Sequence, residues 1–305
     1  MKKDILTLLD LEKSDFDHLF NITGELKDRD KKKITENCLT GKTLGLIFDK
    51  PSTRTRFSFE AAMIKLGGTP IYINAQDTQI SRSEPPKDTA RVLSRYLDIL
   101  AIRTFEQSFI EEIASYASIP IINALTDAYH PCQILSDIFT IIEFKETYEN
   151  LNIVWVGDGN NVAHSWVNAW AVLNFNLTIA CPENYMPNPD IIKKACEIKG
   201  KQIKIINDPF EGVKEAQVIY TDAWASMGQE KDKAERKKAF QNFQINSKLL
   251  KNAPKDVVVM HCLPAYRGEE ITEDVLEGNH SVVWDQAENK MHMHKAILKV
   301  LLGCA

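Results

Sequence analysis

The sequence predicts an α/β protein built from two doubly wound parallel-sheet domains, and three observations carry that expectation. Short apolar runs alternate with helix-spaced stretches along most of the chain, the pattern of strand–helix–strand units with helices on both faces of a sheet. The alternation breaks once, at a helical stretch over residues 134–148, and then restarts. At 305 residues the chain is also longer than a single hydrophobic core ordinarily serves.

Residues 1–40 read as helical, with Ser14 placed to cap a helix carrying Phe16, Leu19, Phe20 and Ile22, and with the charge run from Lys27 to Lys33 as a solvated face. Strands are then expected at 44–48, 71–73, 99–102 and 121–123, with a helix after Ser52 and another from about 89 to 97. In the second half, strands are expected at 153–156, 177–180, 203–206, 218–221, 257–260 and 281–284, and a last helix at 286–302. This places a first domain at 1–133, a crossing helix at 134–150, a second domain at 151–285, and a final helical segment at 286–305.

Composition narrows the class. With 44% hydrophobic and 26% charged residues the chain is an ordinary globular one, and disorder is not indicated. Its 37 basic and 42 acidic residues leave a net charge of −5, which offers no general attraction to nucleic acid or to an anionic membrane. Basic residues that bind anions here must therefore act by local clustering. No apolar run approaches the roughly 20 residues of a membrane span, and the start, Met1-Lys2-Lys3-Asp4-Ile5-Leu6, lacks a signal-peptide pattern, so a cytoplasmic protein is expected. The six cysteines are scattered without a CxxC pair, which fits reduced thiols.

Such a cluster occurs at Lys50-Pro51-Ser52-Thr53-Arg54-Thr55-Arg56-Phe57-Ser58-Phe59-Glu60, between an expected strand and an expected helix. Unpaired N–H groups at a helix start favour an anion, two guanidiniums can grip phosphate oxygens, and the hydroxyls of Ser52, Thr53 and Thr55 can donate further hydrogen bonds. A short Ser/Thr-rich helix start is equally an N-cap followed by solvated arginines, so the whole string has to be weighed.

That string resembles the carbamoyl-phosphate signature of the aspartate and ornithine carbamoyltransferases. The resemblance implies that Ser52, Thr53, Arg54 and Thr55 hold the phosphate of carbamoyl phosphate. Tyr129-His130-Pro131-Cys132-Gln133 resembles the family's second signature, and Asp88-Thr89-Ala90-Arg91-Val92-Leu93-Ser94 the helix leading to its arginine strand. By that resemblance Arg103, His130 and Gln133 surround the carbamoyl group, where fixed donors stabilise the oxyanion that forms under attack. Gln79 occupies the place of a family glutamine that reaches an adjacent subunit's site; on the residues alone it is a surface turn.

In the second half, Trp155-Val156-Gly157-Asp158-Gly159-Asn160-Asn161 is a strand running into a glycine turn, which invites a dinucleotide reading. Val162 stands where the third glycine of that fingerprint belongs, and the reading is weak. In the ornithine branch of the family the equivalent turn supplies an asparagine to the amino acid's α-group, which points to Asn161. Asp222 followed by Ser226-Met227-Gly228 resembles that branch's ornithine signature, although an aspartate and such a turn can equally be a cap and a loop. His261-Cys262-Leu263-Pro264 resembles it too; aspartate carbamoyltransferases carry proline where Cys262 stands. The family implies that the Cys262 sulfur and the Leu263 carbonyl face the side-chain amine of ornithine. Asp222, His261 and Cys262 are the candidates for handling the amine proton. Ala287-Glu288-Asn289-Lys290 resembles the final motif, with lysine in place of the usual arginine, which retains charge and loses the planar fork; the resemblance implies that Lys290, with Cys262 and Leu263, also contacts carbamoyl phosphate.

The resemblance as a whole implies an ornithine carbamoyltransferase with an active-site cleft between its domains, a final helix packed on the first domain, substrates carbamoyl phosphate and L-ornithine, and no metal or organic cofactor. It also implies a homotrimer or a multiple of trimers. His292 and His294, at i and i+2, do not share a helix face, so no metal is assigned to them. The rival readings are a carbamoyltransferase for aspartate or another amine and, from different classes, a NAD-dependent oxidoreductase or a non-catalytic anion-binding relative.

Overall fold

A computed structural model describes residues 3–79, 84–225 and 232–304. The chain divides into two compact units, residues 1–139 with 288–305, and residues 140–287. The division falls inside two helices, α5 (Pro131–Lys145) and α12 (Val283–Leu301).

The first unit holds β1 (Thr43–Phe48), β2 (Thr69–Asn74), β3 (Ile99–Arg103) and β4 (Ile121–Leu125), all parallel in the order β2-β1-β3-β4. Its other helices are α1 (Lys13–Lys31), α2 (Arg54–Lys65), α3 (Pro86–Leu93) and α4 (Gln107–Tyr116). Strands covered on both faces need apolar side chains at every position, which is why β3 is written Ile-Leu-Ala-Ile and is buried throughout. β2 lies at the edge and leaves Ile71 and Ile73 exposed.

The second unit holds β5 (Asn152–Val156), β6 (Asn176–Ala180), β7 (Lys204–Ile206), β8 (Val218–Thr221) and β9 (Val258–His261), parallel in the order β7-β6-β5-β8-β9. Helices α6 (Asn161–Val172), α7 (Pro189–Lys199), α8 (Pro209–Gly212), α9 (Lys233–Phe240), α10 (Ser247–Leu250) and α11 (Glu273–Leu276) complete it. Its core gathers Val154, Val156, Ile219, Trp224, Phe240 and Val259. Two parallel sheets flanked by helices are the fold class the alternation predicts.

Three expectations are corrected. The N-terminal stretch is not helical throughout: Ile5 bridges to Ile122 beside β4, and α1 begins only at Lys13. Ser14 does not cap it, because Glu12 and Asp15 form a reciprocal capping box there. Residues 281–284 are not a strand. Ser281 makes a single bridge to Val259, and Val283 already opens α12, since a short apolar run suits a buried helix start as well as a strand.

One glycine is required by close approach. A Cβ on Gly159, after β5, would lie 2.2 Å from the Pro187 nitrogen and 2.4 Å from the Met186 carbonyl carbon. Backbone cannot swing aside as a side-chain tip can. Gly159→Ala is expected to lower unfolding stability by about 1–3 kcal/mol, read from the urea midpoint of the variant against the parent; an unchanged midpoint would refute the contact.

Candidate active site

A candidate anion site is built in the first unit, where β1 passes into α2. The backbone is fixed before the turn begins: the Asp49 N–H donates to the Arg103 carbonyl at 2.8 Å, and the Thr104 hydroxyl donates to the Asp49 carboxylate at 2.6 Å. Lys50 is buried against Asp127, with its ammonium 4.2 Å from the centre of the Phe105 ring. Ser52 accepts the Thr55 N–H at 3.2 Å, so it serves the helix donor that Thr53, the formal N-cap, leaves unbonded. Thr53 and Arg54 are exposed and Thr55 is buried.

Arg103, at the end of β3, is only 7% exposed, and its Nε has no partner among the described residues. Burial, with the charge of Arg54 adding to it, pushes its pKa down to about 10, so it remains a cation at neutral pH. An arginine held out of water beside a second arginine and a helix start is a site waiting for an anion. Arg56 does not join it. Its Nε donates to Glu60 at 3.0 Å and its guanidinium lies on Tyr72.

His130 is buried just before α5. Burial first, then the positive charges of Lys290 and Arg103, hold its pKa well below 6.5, so the ring is neutral at physiological pH. A neutral imidazole can donate to a carbonyl oxygen without bringing a charge. Gln133, on the first turn of α5, donates to Asp137 at 2.8 Å and accepts from Lys290 at 2.8 Å, which leaves one amide N–H for another acceptor. Lys290 thus stands beside Gln133 and His130. His292 pairs with Glu288 at 3.2 Å and His294 stacks on Phe59 at 3.6 Å between ring centres, so the two rings serve different neighbours. Gln79 follows β2 and is exposed.

A second cluster of candidate residues is built in the second unit. Asn160 accepts the Val162 and Ala163 N–H groups at 2.9 and 3.1 Å, capping α6, and its own amide donates to Asp222 at 2.8 Å. Asp222, just after β8, also accepts the Cys262 thiol at 3.0 Å and the Ala223 N–H at 2.7 Å. Both its oxygens are therefore oriented, with lone pairs to spare for a substrate ammonium. Asn161 opens α6 and is half-buried. Ser226 and Met227 lie outside the described residues.

His261 ends β9 and is fully buried. The Leu263 N–H donates to its Nδ1 at 2.9 Å, so Nε2 carries the proton and faces Glu270 at 3.0 Å. Leu263 itself sits at φ +58°, a left-handed conformation rarely adopted by leucine. His261 therefore shapes the turn that presents Cys262 and has no lone pair left for the amine proton. The ligand atoms of Asp222, His261 and Cys262 lie within 4.8 Å of one another, yet the engaged histidine withholds a third donor from any cation. Asn160 and Glu270 were not singled out from sequence. An asparagine directly before an apolar helix is an N-cap signal that would have found the first; nothing local marks Glu270.

Behind Asp222, Asp158 pairs with Arg236 in the interior. Burial still outweighs the pairing and pushes the carboxyl up to about 6, with Asp222 adding to the rise.

Residues 3–143 match the carbamoyl-P binding domain, and residues 149–301 the Asp/Orn binding domain, of the aspartate/ornithine carbamoyltransferases. The chain belongs to that family. Among its relatives are the ornithine carbamoyltransferases of Syntrophus aciditrophicus, 52% identical over 99% of this chain and 100% of that one, and of Archaeoglobus fulgidus, 50% identical over 99% and 98%. The solved ornithine carbamoyltransferase of Pyrococcus furiosus superposes with a TM-score of 0.95 at 47% identity, covering 99% of this chain and 97% of that one.

Two outcomes are expected. Inorganic phosphate at 100 times its Kd stabilises the parent by about 2.7 kcal/mol, raising its melting temperature, and Arg54→Ala loses that shift while keeping its phosphate-free melting temperature; a full shift in the variant would remove Arg54 from the site. For His130 the folded pKa lies below the unfolded one, so its contribution is complete above pH 6.5 and is lost as the pH falls below that value. Denaturation at pH 7 and pH 5 is expected to show a smaller acid loss for His130→Asn than for the parent, and equal losses would contradict a buried neutral ring.

Proposed function

We propose that the chain transfers the carbamoyl group of carbamoyl phosphate to the side-chain amine of L-ornithine, giving L-citrulline and phosphate. The observation that carries this reading is the Asp222–Cys262 pair, 3.0 Å apart and steadied by Asn160 at 2.8 Å, which offers a carboxylate and a thiol to an amine. The neutral amine nitrogen attacks the carbonyl carbon, a C–N bond forms, the C–O bond to phosphate breaks, and phosphate leaves with that electron pair and takes up the proton that the nitrogen sheds. Ser52, Thr53, Arg54 and Thr55 hold the phosphate, Arg103 and His130 donate to the carbonyl oxygen as it gains charge, and Gln133 and Lys290 complete that end. The Leu263 carbonyl joins Cys262 at the amine, while Asn161, Ser226 and Met227 hold the amino-acid end.

With an amine pKa near ~10.4, forming the neutral nucleophile at about pH 7.4 costs on the order of 4 kcal/mol. Alignment of the two reactants contributes ~7–11 kcal/mol, which exceeds that cost. Asp222 is the group suited to hold the ammonium before its proton leaves, since His261 is bonded at both nitrogens.

Aspartate is disfavoured because Cys262 stands where aspartate carbamoyltransferases carry proline and because Ser226-Met227-Gly228 resembles the ornithine signature. A dinucleotide is disfavoured because Asn160 already occupies the Val162 and Ala163 N–H groups, the donors at the start of α6 that a pyrophosphate would need. Exposed Phe57, Ile64, Ile71 and Ile73 on α2 and the β2 edge support a homotrimer, or a multiple of it, in which a second copy covers this face and Gln79 serves a neighbour's site. On this reading the place of work is the cytoplasm and the role arginine biosynthesis; no helix among the described residues is long and apolar enough to cross a membrane.

Given carbamoyl phosphate, the purified protein is expected to use ornithine at least about 100-fold faster than aspartate or putrescine in kcat/KM, a difference of about 2.7 kcal/mol. Preference for either competitor would overturn the acceptor. Asp222→Asn is expected to raise the KM for ornithine and lower kcat while leaving the phosphate-induced melting shift in place; loss of that shift would show that Asp222 acts on the fold instead.

A further inference from the structure

We infer that Tyr72 is a positioning residue for the anion turn, clasping the two ends of residues 49–55 with one ring. In the parallel register Tyr72 on β2 lies opposite Leu46 of β1. Phe48, two residues beyond Leu46, points to the same face, and its ring meets Tyr72 edge-on at 5.7 Å and 76°. Phe48 is the last residue of β1, where the chain leaves the sheet for the turn. On the far side of the turn, the Arg56 guanidinium lies 3.4 Å from the centre of the Tyr72 ring, while its Nε is held by Glu60 at 3.0 Å. Arg56 is the third residue of α2, so both the start and the finish of the turn are tied to one aromatic ring.

The clasp sets a rotation as well as a place. Residues two apart on a helix are separated by about 200° around its axis, so holding Arg56 against Tyr72 directs Arg54 to the opposite side. There the charge of Arg54 is felt by Arg103. Freed from Tyr72, the first turn of α2 can roll, and Arg54 loses its alignment with the buried guanidinium. Tyr72 itself donates nothing to the anion in this arrangement; its ring faces carry the effect and its hydroxyl does not.

This inference rests on the reading that residues 52–55 hold phosphate, and Arg54→Ala serves as the reference for that reading. The test compares Tyr72→Phe, Tyr72→Leu and Tyr72→Ala with the parent in steady-state kinetics and in the melting shift given by inorganic phosphate. Sedimentation of each variant identifies any change of assembly, since Tyr72 lies on an edge strand. Tyr72→Leu and Tyr72→Ala are expected to raise the KM for carbamoyl phosphate about 10-fold and to shrink the phosphate shift, with the KM for ornithine and the sedimentation unchanged. Tyr72→Phe is expected to restore both quantities to within about twofold of the parent, because it keeps the ring. If Arg54→Ala loses the phosphate shift while Tyr72→Leu, assembled like the parent, retains it, the clasp is refuted. If Tyr72→Phe behaves as Tyr72→Leu, the hydroxyl matters and the clasp is refuted again. If Arg54→Ala itself keeps the shift, the phosphate reading fails first.

Discussion

Positive charge gathered in a buried setting, only partly offset by Asp127, is the constraint from which the first unit follows. Arg103 is buried beside Arg54, with an Nε that no described residue satisfies. Keeping one guanidinium out of water beside the charge of another is unfavourable, so the surrounding scaffold has to hold Arg103 by packing. The all-buried strand β3, the bonds from Asp49 to Arg103 and Thr104, and the buried Lys50 supply that rigidity. The same field explains why a histidine in the neighbourhood stays neutral: burial and adjacent cations both disfavour its protonation. A bound phosphate removes the imbalance, and carbamoyl phosphate brings one.

The second unit solves the opposite problem, holding one carboxylate ready for a cation. Asp222 is oriented by Asn160, by Cys262 and by its own following N–H group. The Cys262 turn is in turn shaped by His261 and Glu270, and the left-handed Leu263 is sustained by the hydrogen bond to His261. Asp222 is thus held by Asn160, and the Cys262 turn by His261 and Glu270.

Much of this was legible in the sequence for physical reasons. Buried parallel strands must be apolar at every position, so β1, β3, β5 and β8 stand out as runs, and the arginine turn stands out because few structures need so many donors in so short a stretch. Illegible features were those set by distant partners. Whether Val282 and Val283 continue a strand or open a helix depends on what surrounds them, and the run itself fits both. The parting of Arg54 from Arg56 depends on Tyr72, sixteen residues beyond Arg56 and on another strand. Glu270 gains meaning only from His261, and Asn160, though marked as a cap, does not reveal in sequence that its amide also reaches Asp222.

Asn160 has a consequence for how such a chain can change over generations. One side chain both closes the start of a helix and aims the carboxylate of Asp222, the group proposed to receive the acceptor. A mutation there is taxed twice, once in folding and once in chemistry, so new acceptors are more accessible by altering residues that carry only one of those duties. The route to a different amine runs around the asparagine, through the neighbouring loops, with the helix left standing.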